Sequence, residues 1–248
     1  VTLPRAIAAA VVSAATVLAG AASPVAAEPG PAPGPPPRPG VEHAPGAASP
    51  GPRSGRASTS TSTCPDIEVI FARGTDDTPG LGTPGQAFVD ALRRQVGGRT
   101  VTSYAVNYPA SYDFLAAADG AADATDRIAK MAQECPSTKL VLGGYSQGAA
   151  VMDMLAGVPP LGDKIGSIGS APPLPASLLP NIAAVAVFGN PATKFSNPLT
   201  SSVFGGKAID LCKDGDPICS RGRNPFAHND YVSSGMTEQA ARFVAGLV

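Results

Sequence analysis

A three-layer α/β sandwich, a mostly parallel sheet covered on both faces by helices, is the fold class this sequence predicts. Three observations carry it. Short apolar segments alternate along the chain with helix-like segments of roughly ten to twenty residues, the rhythm of repeated strand–helix units. The apolar segments are nearly continuous, as strands buried on both faces require. One of them, Lys139 to Leu142, runs through Gly143-Gly144-Tyr145-Ser146-Gln147-Gly148 into the apolar stretch Ala149 to Leu155, a strand turning abruptly into a helix. Right-handed crossovers then place helices on both sides of the sheet.

The elements follow in order. Ile67-Glu68-Val69-Ile70-Phe71 reads as a buried strand ending in Arg73-Gly74-Thr75-Asp76-Asp77. Pro84 to Val96 carries Phe88, Leu92 and Val96 four residues apart, one face of a helix. Thr100 to Tyr108 is rich in β-formers and closes at Pro109. Ala116 to Cys135 is an alanine-rich helix with Ile128 and Met131 on one face. Leu140 to Leu142 is the central strand and Gln147 to Leu155 the helix behind it. Ile182 to Phe188 and the shorter Lys207 to Leu211 are further strands. Thr237 to Val248 closes the chain as a helix, with Ala240, Phe243, Val244 and Leu247 facing the core.

Not all of the 248 residues contribute to that core. Residues 1–27 combine Arg5, an apolar and small run from Ala6 to Ala22, and small residues at Val25-Ala26-Ala27, the make-up of a secretory signal peptide. Residues 28–63 change character: ten prolines fall between Pro29 and Pro52, and Ser58 to Thr63 is all hydroxyl. Such a segment has nothing with which to build a core. It reads as an extended, flexible linker, a spacer between the folded part and a membrane or wall. Residues 64–248 are then a single folded domain.

Net charge is −1 and the basic residues are scattered, so nothing points to nucleic acid. All four cysteines, Cys64, Cys135, Cys212 and Cys219, lie in the domain. Behind a secretory signal an even number implies two disulfides, with three pairings open. The short spacing of Cys212 and Cys219 favours closure of a small loop, leaving Cys64 to pin the start of the domain to Cys135. A zinc site is the rival, disfavoured by the long separations and the lack of Cys-x-x-Cys.

Ser146 lies at the apex of Gly144-x-Ser-x-Gly148, where a strained turn lifts its hydroxyl out of the sheet. A serine nucleophile needs a base and a group to orient it. His228 is the domain's sole histidine, His43 lying in the linker, so the base is forced. Asp214, Asp216 and Asp230 all neighbour it. Asp216 is preferred because Pro217 and a Cys212–Cys219 bridge would hold its loop rigid, and the value of such a carboxylate lies in orientation. The oxyanion donors are expected from the N–H of Gln147 and from Thr75, after the first strand. Tyr145, with Pro172-Pro173-Leu174-Pro175, Leu178 and Leu179, either lines an acyl-binding cleft or packs as a turn. The order Ser, Asp, His is that of α/β-hydrolase triads.

These residues resemble the cutinase family of serine esterases, in particular cutinase-like secreted proteins of mycobacteria and related actinobacteria. The likeness spans essentially Cys64 to Val248 and rests on Gly144-Tyr145-Ser146-Gln147-Gly148, Asp216 within Cys212 to Cys219, His228, and Arg73-Gly74-Thr75. It implies a five-stranded central parallel sheet and an open active site with little or no lid. It implies a triad of Ser146, Asp216 and His228, an oxyanion hole of Thr75 and Gln147, and disulfides Cys64–Cys135 and Cys212–Cys219. The activity implied is hydrolysis of short or medium acyl esters or lipids; the mechanism calls for no metal or organic cofactor, and a secreted monomer associated with a lipid surface or the cell wall is expected. The alternatives are a phospholipase, thioesterase or transacylase, or a non-enzymatic surface protein on the same fold.

Overall fold

The computed structural model describes residues 64–162 and 168–248. The expected signal peptide, residues 1–27, and linker, residues 28–63, lie outside the described residues, as does His43. Among the described residues five strands form one parallel sheet: β1 (Ile67–Ala72), β2 (Val101–Ala105), β3 (Lys139–Tyr145), β4 (Ile182–Phe188) and β5 (Ala208–Leu211). Their spatial order is β2-β1-β3-β4-β5. The chain steps from β1 outward to β2 and returns to add β3 on the other side. That reversal opens a crevice beyond the carboxyl ends of β1 and β3. The register sets Ala72 beside Gly144, so the loop leaving β1 and the turn leaving β3 emerge together.

Helices α1 (Gly82–Gln95), α2 (Ala117–Glu134), α3 (Gln147–Leu155), the short α4 (Pro191–Lys194) and α5 (Met236–Ala245) complete the layers. Successive strand residues point to opposite faces, and each face has its own apolar layer. Ile70, Ala72, Leu140, Leu142, Val185 and Val187 pack with α2 and α3 through Ile128, Met131, Val151 and Met152. Val69, Phe71, Val141, Ala186 and Phe188 pack with α1 and α5 through Phe88, Leu92, Ala240 and Val244. On this second face the rings of Phe71, Phe88 and Phe188 meet at 6.0–6.4 Å. Glu68, a charge buried in β1, takes a bidentate pair from Arg127 of α2 at 2.7 and 2.6 Å. Without that partner its burial would be strongly unfavourable.

Two sequence expectations are corrected. β2 stops at Ala105, short of Tyr108, because the chain there turns to bind the loop after β1. Leu247 is exposed because α5 ends at Ala245 and releases the last residues from the core face. Of the residues left open between a cleft wall and a packed turn, Leu174 is buried and Leu178 and Leu179 are partly buried against the α2–α3 layer, whereas Tyr145 lines the cleft described below. The four cysteines form Cys64–Cys135 and Cys212–Cys219, leaving no thiolate for zinc.

Candidate active site

Ser146 joins β3 to α3 with φ 54° and ψ −115°, a backbone conformation that costs a non-glycine residue about 1–3 kcal/mol. Its surroundings hold it there. Its N–H donates to the Phe188 carbonyl at 2.9 Å, tying the turn to β4. The two flanking glycines allow the backbones to close. A Cβ on Gly144 would lie 2.2 Å from the Gly148 carbonyl oxygen, and one on Gly148 only 1.9 Å from that of Ala72.

His228 comes from a 3-10 turn, Pro225–Asn229, capped by the Asn224 side chain. Its Nε2 is 2.8 Å from Ser146 Oγ and its Nδ1 is 2.8 Å from Asp216 Oδ2. Asp216 is fully buried, inside the loop closed by Cys212–Cys219. Its Oδ1 accepts the Ile218 N–H at 2.7 Å and its Oδ2 also accepts the Tyr231 hydroxyl at 2.6 Å. Burial pulls the Asp216 carboxyl upward, but the donors His228, Tyr231 and Ile218 outweigh it and hold it below the usual carboxylate range. Asp216 is therefore an anion facing the imidazole. Asp214 is exposed, and Asp230 pairs with Lys213 at 3.7 Å; neither meets His228.

The loop after β1 is clasped from the far side. Arg73 donates to the carbonyls of Tyr108 and Pro109 at 3.1 Å each, the Tyr108 hydroxyl donates back to the Arg73 carbonyl, and the Asp76 N–H donates to Ala110 at 2.8 Å. This sets Thr75 beside the turn, its hydroxyl donating to Gln147 Oε1 at 3.3 Å. As the first residue of α3, Gln147 has a backbone N–H with no carbonyl a turn earlier in the helix, and the positive end of the helix dipole adds to it.

Two tyrosines absent from the sequence-based catalytic set complete the array. The Tyr145 hydroxyl donates to the His228 carbonyl at 2.6 Å, and its ring stacks on the imidazole at 5.0 Å between centroids. Tyr231 reaches Asp216 from beneath His228. The signal for Tyr231 was its place three residues after the histidine, one turn later in a tight loop. A cleft of about 680 Å³ opens over Ser146 and His228, walled by Thr75, Tyr112, Phe114, Leu161, Ile168, Ile218 and Val232. Of these Tyr112, Phe114, Ile218 and Val232 are exposed apolar side chains.

Behind the turn lies a second polar cluster. Asn190 Nδ2 donates to Asp153 Oδ1 at 3.0 Å and to Asp210 Oδ2 at 2.8 Å, while Asp153 Oδ2 and Asp210 Oδ1 are buried without a partner. Burial, then the charge of Asp210, pushes the Asp153 carboxyl well above its ordinary range.

Comparison with known proteins identifies the family. The sequence model of the family described as Cutinase matches residues 63–248. "Phospholipase Culp4" of Mycobacterium tuberculosis is 52% identical over 187 residues, 75% of this chain and 80% of that protein. "Carboxylesterase Culp1" of the same organism is 45% identical over 203 residues, 78% of this chain and 86% of that protein. Among solved structures, Trichoderma reesei cutinase in complex with a phosphonate inhibitor aligns with a TM-score of 0.60 at 35% identity, covering 74% of this chain and 77% of that one. The chain belongs to the cutinase family.

Proposed function

We propose that this cutinase-family chain hydrolyses carboxylic esters through an acyl-enzyme, with Ser146 as nucleophile, His228 as general base and acid, and Asp216 as the carboxylate that orients it. The observation supporting the reading is the unbroken hydrogen-bonded path, 2.8 Å and 2.8 Å, from the serine oxygen through the imidazole to a buried anion. The protein is a carboxylic ester hydrolase, and the mechanism follows from the groups around its cleft.

Ester carbonyl carbon approaches Ser146 Oγ, and the Ser–O–C bond forms as His228 Nε2 takes the hydroxyl proton. The carbonyl electron pair moves onto oxygen, where the backbone N–H groups of Gln147 and Thr75 receive it, the Thr75 hydroxyl being engaged with Gln147 Oε1. Each well-aimed donor is worth about 10²–10³ in rate. Asp216 keeps the proton of His228 on Nδ1 and stabilises the imidazolium. The tetrahedral adduct collapses, the bond to the alcohol oxygen breaks, and His228 returns its proton to that oxygen. Water, deprotonated by His228, then attacks the acyl carbonyl; the bond from that carbon to Ser146 Oγ breaks, His228 returns the proton to Oγ, and the carboxylic acid leaves. One chain carries the whole array, so the chemistry needs no second copy.

The apolar walls of the cleft suit a short or medium acyl chain or one chain of a lipid. A phospholipid ester is the second reading, favoured by the 52% identity to a protein named phospholipase. We read residues 1–27 as a secretory signal, 28–63 as a tether and 64–248 as the catalytic domain, and the location as extracellular. The two disulfides suit an oxidising compartment, and no helix among the described residues is long and apolar enough to cross a membrane. The test is Ser146→Ala: turnover of p-nitrophenyl butyrate and labelling by a fluorophosphonate probe should both vanish while the circular dichroism spectrum is kept. Residual turnover near wild type would overturn the reading.

A further inference from the structure

We propose that Tyr231 is a positioning residue of this array, its phenol sharing one Asp216 oxygen with His228 and so setting how strongly the carboxylate holds the imidazole. The inference rests on the triad reading above. Asp216 Oδ2 receives two donors, Tyr231 Oη at 2.6 Å and His228 Nδ1 at 2.8 Å. The phenol oxygen itself accepts the Lys213 N–H at 3.1 Å, which directs its own proton to the carboxylate. Tyr231 is fully buried, wedged edge-on against Phe188 at 6.0 Å, Tyr145 at 5.8 Å and His228 at 6.4 Å, so the ring cannot swing away. Burial and then the hydrogen bond to Asp216 push its phenol far above the ordinary tyrosine range, so it stays a donor wherever the enzyme works.

Two consequences follow. The carboxylate is held against rotation from both ends, by the Ile218 N–H on Oδ1 and by Tyr231 on Oδ2. The negative charge on Oδ2 is also divided between two donors, so it stabilises the imidazolium less than an unshared carboxylate would. His228 has to accept a proton from Ser146 and then release it to the leaving alcohol, and tempering of this kind assists the second half. The titratable groups facing the pair are Tyr145, stacked on the imidazole, and Tyr231; Asp77 lines the same cleft, and the Lys213–Asp230 pair flanks the loop.

The experiment is the pH dependence of p-nitrophenyl butyrate hydrolysis by Tyr231→Phe. Loss of a hydrogen bond to an ionised group should lower kcat about tenfold, leave KM within about twofold, and move the acid limb of kcat/KM upward by about half a pH unit. Placing 3-fluorotyrosine, a stronger donor of the same shape, at position 231 should move that limb downward. In an Asp216→Asn background, adding Tyr231→Phe should cost less than about twofold more, because the group through which Tyr231 acts is gone. A folded Tyr231→Phe chain with wild-type kcat and acid limb, or a tenfold loss that persists with Asp216→Asn, overturns the proposal. If Tyr231→Phe fails to fold, the fluorotyrosine chain decides by the direction of its limb. An active Ser146→Ala chain would instead overturn the triad reading itself.

Discussion

Gly148→Ala adds one methyl group two residues after Ser146, where the start of α3 touches the end of β1. Its Cβ would lie 1.9 Å from the Ala72 carbonyl oxygen, 2.5 Å from the Ala72 carbonyl carbon and 2.7 Å from the Arg73 oxygen, where ordinary contact begins at 3.4 Å. Relief therefore needs a separation of about 1.5 Å between two buried backbones, neither of which can rotate away as a side chain would. The helix start carries Ser146 with it, and a shift of that size breaks the 2.8 Å bond to His228. Misplacement of a reacting atom by ~1 Å costs about 10²-fold, so kcat/KM for p-nitrophenyl butyrate should fall by at least that factor. Overpacking at its upper end, about 3 kcal/mol, should lower the Tm by roughly 6–12 °C in a domain of this size. A Gly148→Ala chain within about threefold of wild-type kcat/KM and about 2 °C of its Tm would show that the turn is not closed as described.

Two further outcomes follow. Asp153 has its folded-state carboxyl raised, so the folded chain holds a proton that the unfolded chain has released, and its contribution to stability declines as pH rises above the ordinary carboxylate value of about 4. Asp153→Asn should therefore gain in Tm relative to wild type between pH 4 and pH 8, and a difference that shrinks across that range would refute the assignment. Replacing Cys64 and Cys135 by alanine removes a crosslink over a separation of 71 residues and should cost up to about 4 kcal/mol in urea denaturation, against about 2 kcal/mol for Cys212 and Cys219, whose separation is 7. Activity of the still-folded chains should rank the other way, because only the second bridge encloses Asp216; greater loss of activity from the first pair would contradict this.

Much of the arrangement was legible because it rests on local chemistry. β3 and α3 announce themselves through an apolar run, two glycines and a second apolar run, and Ser146 could stand nowhere else. His228 was forced by scarcity, and the crosslinked loop singled out Asp216 among three neighbouring acids. What the sequence hid depends on packing between distant segments. Tyr108 reads as the tail of a strand, and its turn towards Arg73 is dictated by the loop after β1, which lies 35 residues earlier. Leu174, Leu178 and Leu179 are as apolar as any cleft wall, and their packing against α2 and α3 depends on contacts with elements distant in sequence. Tyr231 is an ordinary aromatic until β5, the crosslinked loop and the 3-10 turn bring it under Asp216. Leu247 keeps the helical spacing, yet the helix has ended before it.

Asp216, His228 and Tyr231 all come from one stretch of chain between β5 and α5, while Ser146 is rooted in the middle of the sheet. The half of the site proposed to handle protons is thus a single contiguous cassette, anchored by its own crosslink and seated on the Ser146 half through the Tyr145 ring. Exchanging that cassette between relatives would transplant Asp216, His228 and their crosslink in one cut, without disturbing the strand that presents the serine. Changes in the reach or basicity of the imidazole would accordingly travel with the Ile218 and Val232 wall of the cleft, and separately from the opposite wall of Tyr112, Phe114 and Leu161.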